Sequence, residues 1–150
     1  MQKLFIYYSH TGNGDLVAKK MAERGYEVRK VIEKAKMPKS FFFMIMAGGF
    51  RAGLGLKGKL IGYDDDVEGY EEIVIGSPIW NGRFPPATNE ILARTELTGK
   101  KVSFLLYSGS GEGKHAAKKI AKRYPEAKVL FLKEPKKYPD EFAKLDAFLN

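Results

Sequence analysis

The chain has 150 residues, no cysteine, 44% hydrophobic residues and a formal net charge of +8. That length supports one domain with a substantial core, taken as residues 1–150, and is too short for two ordinary ones. Without cysteine the chain's own residues offer no disulfide, thiol nucleophile or iron–sulfur ligand.

The charge is uneven. From Lys19 to Lys59 there are eleven Lys or Arg and three acids, whereas Tyr63 to Gly82 holds six acids and no base. A basic balance fits nucleic acid, anionic membranes or acidic proteins as partners, and equally a lysine-rich solvated surface. No zinc-ligand spacing or aromatic sheet signature points to nucleic acid, so none is expected. The start, Met1-Gln2-Lys3-Leu4, runs into a strand without a secretory signal, and a cytoplasmic protein is expected. The longest apolar run, Phe41 to Phe50, falls short of the roughly 20 residues of a membrane span.

In chain order, Lys3 to Tyr8 reads as a strand buried on both faces. Asp15 to Arg24 reads as a helix with Leu16, Val17, Met21 and Ala22 near one side, and Gly25 ends it. Tyr26 to Val31 is a more polar strand, placed at an edge. A helix is predicted from Ser40, as N-cap, into the low fifties, with a glycine-rich loop after it. This segment reads as a cover for one sheet face or as an amphipathic surface for a partner or membrane. Asp64 to Glu68 is an acidic turn without the spacing of a calcium loop. Glu72 to Gly76 is a third strand, and Pro85-Pro86 opens a helix to about Arg94. Val102 to Tyr107 is a fourth strand, with Tyr107 read as core. Lys114 to Arg123 is a helix with Ala117, Ile120, Ala121 and Tyr124 inward. Lys128 to Leu132 is a fifth strand, and Pro139 to Leu149 a final helix carrying Phe142, Leu145, Phe148 and Leu149 inward.

Strands alternating with helices imply a parallel, doubly wound sheet with right-handed crossovers. Ligands in such sheets sit beyond the carboxyl ends of the strands. Three loops converge on that rim. The first, Ser9-His10-Thr11-Gly12-Asn13-Gly14, offers hydroxyls, backbone N–H groups and a helix N-terminus, the chemistry that holds a phosphate. It lacks the lysine of a triphosphate loop and the glycine spacing of a dinucleotide loop. Alone it also fits an ordinary turn. The second, Ser77-Pro78-Ile79-Trp80-Asn81-Gly82, carries the only tryptophan, poorly placed for a core and suited to stacking on a flat ligand, or else to packing on its own loop or a partner. The third, Ser108-Gly109-Ser110-Gly111-Glu112-Gly113, offers small residues and N–H groups to a ring edge, or forms a plain turn. His10 is expected to contribute its N–H and direct its side chain to solvent. His115 is read as surface, and neither histidine belongs to a hydrolytic triad.

Together, the strand followed by Ser-x-Thr-Gly-Asn and a helix, the run Ile-Gly-Ser-Pro-Ile-Trp-Asn-Gly-x-x-Pro-Pro and the segment Tyr-Ser-Gly-Ser-Gly resemble the three flavin-contacting loops of flavodoxin-like proteins, in order over the whole chain. The resemblance implies a five-stranded sheet of order 2-1-3-4-5 with helices on both faces, and bound FMN. Ser9, His10, Thr11, Gly12, Asn13 and Gly14 would hold the phosphate, and Ser77, Pro78, Ile79, Trp80, Asn81 and Gly82 would flank the ring, with Trp80 on one face. Ser108, Gly109 and Gly111 would approach its other side. Asn81-Gly82 is where the family's peptide flip toward the ring would fall. Gly14 stands where the family usually has a threonine, so a hydroxyl donor is missing and weaker FMN retention is expected. No aromatic closes the third loop, and the chain is basic where relatives are often acidic, which implies a higher redox potential. The implied function is an electron carrier between redox partners with acidic surfaces, as a monomer or homodimer. The alternatives are an FMN-dependent NAD(P)H:quinone-type reductase and a binding module of the same fold without FMN.

Overall fold

Continuous apolar runs make the central strands, and helices cover both of their faces. The structure, a computed structural model, describes residues 2–33 and 59–150. The helix expected from Ser40, with its Phe41 to Phe50 run, and the glycine-rich loop lie outside the described residues. The strands are β1 (Lys3–Tyr8), β2 (Glu27–Val31), β3 (Glu72–Pro78), β4 (Lys101–Ser108) and β5 (Lys128–Lys133). The helices are α1 (Asn13–Ala22), α2 (Pro86–Arg94), α3 (Lys114–Arg123) and α4 (Lys144–Leu149). All strand pairs are parallel and the order is β2-β1-β3-β4-β5.

Alternation along the strands divides the core in two. Phe5, Tyr7, Val74, Leu105, Tyr107 and Leu132 face α1 and α4, packing on Val17, Met21 and Leu145. Leu4, Ile6, Ile73, Ile75, Phe104 and Leu106 face α2 and α3, packing on Ala87, Ile91 and Ile120. Period-two alternation thus serves both helix layers, as a sheet buried on both faces requires. The loops after β1 and β3 lead into helices on opposite faces, which opens a crevice between these neighbouring strand ends.

Three helices differ from expectation in detail. On α1 the inward residues are Val17, Ala18 and Met21, while Leu16 is 38% exposed. On α3 Ala116 and Ile120 are buried and Ala121 is exposed, because the first turn is pulled down by the Gly82 carbonyl, which accepts the Ala116 N–H at 2.9 Å. The last predicted helix divides into a 3-10 turn, Pro139–Ala143, and α4. Glu141 Oε1 in that turn accepts the Lys133 N–H at 2.7 Å and so ties it to the end of β5. The acidic segment after Tyr63 is held by Arg29, which donates to the carbonyls of Asp64 and Asp66, and by Arg94, paired with Asp65. Among the described residues no helix is long and apolar enough to cross a membrane.

Gly76 sits opposite the Phe5 ring. A Cβ there would overlap Phe5 Cζ and come within 3.0 Å of Tyr7 Cβ. Gly76→Ala is therefore expected to destabilise the fold by about 1–3 kcal/mol through overpacking. Urea unfolding would measure it as a lower midpoint at unchanged slope.

Candidate functional site

The loop after β1 is built on a hydroxyl. Ser9 Oγ accepts the N–H of Gly12 at 3.2 Å and of Gly14 at 3.0 Å. Two donors on one oxygen polarise the hydroxyl, leaving its own hydrogen for an acceptor placed over the loop. Gly12 has φ of 92°, a left-handed conformation that a side chain strains. No acceptor among the described residues takes the N–H groups of Thr11 and Asn13. Together with the start of the ten-residue α1, this donor set matches an anion.

Gly14 is buried, and a Cβ on it would lie 2.5 Å from the Tyr107 hydroxyl and 2.6 Å from Ser9 Cβ. Residue 14 is thus glycine because Tyr107 of β4 occupies the space. The Tyr107 hydroxyl donates to the Tyr8 carbonyl at 2.5 Å, and burial pushes its pKa far up, so it stays a donor. Asp15 does not leave a bare negative charge beside the loop. It pairs with Lys30 at 2.8 Å and accepts from the Tyr7 hydroxyl at 2.7 Å. Burial works to raise the Asp15 pKa, but the hydrogen bonds from Lys30 and Tyr7 outweigh it and hold the carboxyl below its usual range.

The stretch read as the second loop is mostly interior, and its first two residues, Ser77 and Pro78, are the end of β3. Ser77, Pro78, Ile79 and Trp80 are all buried. Ser77 Oγ lies 2.6 Å from Thr88 Oγ1, an interior pairing with α2. Trp80 is 3% exposed and belongs to the core, edge-on to Tyr8 at 6.3 Å and to His10 at 5.8 Å. This corrects the expectation that a tryptophan here is poorly placed for a core. The reason is the turn itself. Trp80 and Arg83 exchange backbone hydrogen bonds, and Asn81 and Gly82 take φ of 51° and 76° between them. A two-residue turn with both central residues at positive φ reverses the chain tightly and returns Trp80 to the sheet. Only Asn81 and Gly82 of the six reach the surface. The Gly82 carbonyl is anchored by the Ala116 N–H, whereas the Asn81–Gly82 peptide is free of that anchor.

In the third loop Ser108 is buried at 8% exposure, and its Oγ is engaged with the N–H and carbonyl of Glu112. Gly109 and Ser110 are exposed, and Gly111 turns the chain at φ of 76°. His10 is exposed, with its ring against the edge of Trp80, and His115 lies 3.4 Å from Arg83. Arg83, desolvation and the neighbouring lysines hold the His115 pKa below its ordinary value.

A fourth loop, Glu134 to Tyr138 after β5, completes the rim. The Glu134 N–H donates to the Ser108 carbonyl at 3.0 Å, and the Lys136 N–H to Asn13 Oδ1 at 2.9 Å. This loop was missed in the sequence. The available signal was Lys136-Lys137 just beyond Glu134-Pro135 at the end of the fifth strand, on the rim where the other loops gather. A cavity of about 340 Å³ opens between Tyr8–His10 and Lys30–Glu33, beside the first loop.

No known family profile matches the chain and no curated protein matches its sequence. Solved structures do. A protein of Bacteroides eggerthii, provisionally designated a flavoprotein, superposes with a TM-score of 0.75 at 20% identity over 99% of this chain and 98% of its own. A second, similarly designated protein from Bacteroides uniformis gives 0.71 at 22% identity over 85% of this chain and 88% of its own. A flavoprotein of Lactobacillus acidophilus solved with FMN gives 0.65 at 16% identity over 99% of both chains. The chain has the flavodoxin-like fold. In such a sheet, of order 2-1-3-4-5, the crevice between the ends of β1 and β3 is the place for a ligand, and the Ser9–Gly14 and Trp80–Arg83 turns border it.

Two substitutions test this description. Trp80→Ala should cost about 3–5 kcal/mol of stability, the cost of emptying a core aromatic, and would show as an early denaturation midpoint in protein without any ligand. Ser9→Ala should cost about 1–2 kcal/mol, because the Gly12 and Gly14 N–H groups lose their acceptor as they would at a lost helix cap. Amide exchange at those two residues should quicken selectively.

Proposed function

We propose that this chain is an FMN-binding electron-transfer protein that shuttles electrons between redox partners. The observation that carries the reading is the Ser9–Gly14 loop at the carboxyl end of β1, with a polarised Ser9 hydroxyl, Gly12 at φ of 92° and N–H donors at Thr11 and Asn13. The FMN-bound Lactobacillus flavoprotein, similar over nearly the whole chain, supports the choice of ligand. The donor set suits a phosphate monoester, so the residues present fit the group. Bound there, FMN would supply one- and two-electron transfer, and the protein would supply binding, orientation and electrostatics.

In this reading Ser9, Thr11, Gly12 and Asn13 hold the phosphate. Gly14 acts by leaving room for Tyr107, which supports the loop from below. Asn81 and Gly82 meet the ring through their backbone. Trp80 acts from within the core as the rigid base of that turn. Ser77, Pro78 and Ile79 position it, and Gly109 and Gly111 allow the third loop to approach.

The acidic-partner reading is supported by α3. Lys114, Lys118 and Lys122 are exposed at i, i+4 spacing, and among the described residues none forms an ion pair. Like charges at that spacing repel, and Lys114 opposes the helix dipole at the N-terminus. The helix begins where Gly82 meets Ala116, so this unfavourable charge stands beside the exposed turn of the site. An acidic partner would relieve it and would dock close to the flavin.

The test is direct. Purified protein should be yellow, or should become so when FMN is added to the apo form, with one FMN per chain. Colourless protein that cannot be reconstituted removes the reading. Anaerobic NADPH alone should leave the bound FMN oxidised; rapid bleaching would assign a reductase instead. Electron exchange with an acidic redox protein should slow as ionic strength rises through about 0.15 M, where screening acts within about 8 Å.

A further inference from the structure

The turn after β5 is rigidly built. Glu134 adopts φ of 35°, and its carbonyl accepts the N–H groups of Lys137 at 2.8 Å and Tyr138 at 2.9 Å. Pro135 is buried. The Lys136 N–H is bound by Asn13 Oδ1 at 2.9 Å, while Asn13 Nδ2 donates to Thr11 Oγ1 at 3.2 Å. The Asn13 amide thus joins the first loop to the fourth. The result is visible at Gly12. Its Cβ position would lie 3.7 Å from Lys136 Nζ, so the ammonium stands over the phosphate loop.

Among the described residues Lys136 forms no ion pair. Asp15, the acid nearest the loop in sequence, is already engaged by Lys30 and Tyr7. An ammonium, the Thr11 and Asn13 N–H groups and the start of α1 therefore gather positive potential in one place, and among the described residues no carboxylate pairs with that ammonium. Such an arrangement costs stability when empty and favours a dianion when filled.

We infer that Lys136 is a phosphate ligand of this site and that Asn13 is the positioning residue that holds its backbone in reach. The inference rests on the FMN reading and deepens it. The charge of Lys136 supplies what residue 14 does not, since Tyr107 leaves no room there for a hydroxyl-bearing side chain. It also adds to specificity, because an ammonium that acts on the phosphate favours FMN over riboflavin, which shares the ring but lacks the phosphate.

The experiment titrates apo-protein with FMN and with riboflavin, following quenching of flavin fluorescence, for the wild type, Lys136→Gln, Lys136→Arg and Lys137→Gln. Lys136→Gln should weaken FMN about five- to tenfold, the scale of one partly exposed charge pair, and leave riboflavin unchanged. Lys136→Arg should retain FMN affinity. Lys137→Gln, with the same change in net charge one residue away, should leave it close to wild type. Equal weakening of FMN by the Lys136→Gln and Lys137→Gln variants, equal loss of both flavins, or no loss of FMN in Lys136→Gln overturns the inference. If wild-type protein binds neither flavin, the FMN reading falls, and inorganic phosphate becomes the probe. Amide shifts at Thr11, Gly12 and Asn13 on adding phosphate, lost in Lys136→Gln, then support the Lys136 role; shifts equal in both proteins, or absent from both, overturn it.

Discussion

A hydroxyl from the middle of the sheet carries the whole rim. Tyr107 donates from β4 to the carbonyl of Tyr8 at the end of β1, across the intervening β3. Ser9 follows directly and turns its Oγ to the N–H groups of Gly12 and Gly14. These bonds set where the first loop begins and how it closes. They also dictate glycine at position 14, since the Tyr107 oxygen and the Ser9 side chain fill the volume a Cβ would need. A residue that looks like a lost donor when read along the loop is a packing consequence of a tyrosine 93 positions away in the chain.

The same logic of shared anchors runs around the rim. The Gly82 carbonyl caps the start of α3, which ties the exposed turn of the second loop to the basic helix. Asn13 links the first loop to the turn after β5, and Glu134 links that turn to the third loop through Ser108. Side chains that sequence alone suggests are ligands therefore divide into two kinds. Ser77, Trp80 and Ser108 are spent holding the scaffold, while Thr11, Asn81, Gly82 and Gly109 face outward. Division of this kind is expected where loops must be held rigid for a ligand, because backbone donors serve well only when something else fixes their direction.

Electrostatics gives the site its character. The carboxylate of Asp15 is neutralised locally by Lys30, so the start of α1 keeps its positive potential. Lys136 adds to that potential from outside the motif. Farther along the rim, α3 presents lysines without acids. In the proposed reading such a site would favour negative charge both in its ligand and in what approaches it, with separate origins in the loops and in one helix face.

The order of elements was legible in the residues, and so were most strand limits, although β3 runs past the expected Gly76 to Pro78 and takes in two residues expected in the loop. Lys3 to Tyr8 and Lys114 to Arg123 coincide with β1 and α3 because apolar runs and helical spacing are local properties. The position of the three glycine-containing loops on one rim followed from alternation of strands and helices alone. Inward faces were less legible: Ala121 is exposed because the tether at Gly82 sets the rotation of α3, and nothing local to the helix encodes that. Trp80 was misplaced for a related reason, since only the reversal at Asn81-Gly82 returns it to the core. The nearness of Lys136 to the first loop was invisible in the sequence, because it depends on the hydrogen bond from the Lys136 N–H to Asn13 Oδ1, between residues 123 positions apart. The parallel sheet and its loop-bearing rim are written in the residues, through periodicities that need only neighbours. Which loop residues brace the scaffold and which face outward emerges only on folding, because burial and proximity depend on packing between elements far apart in the chain.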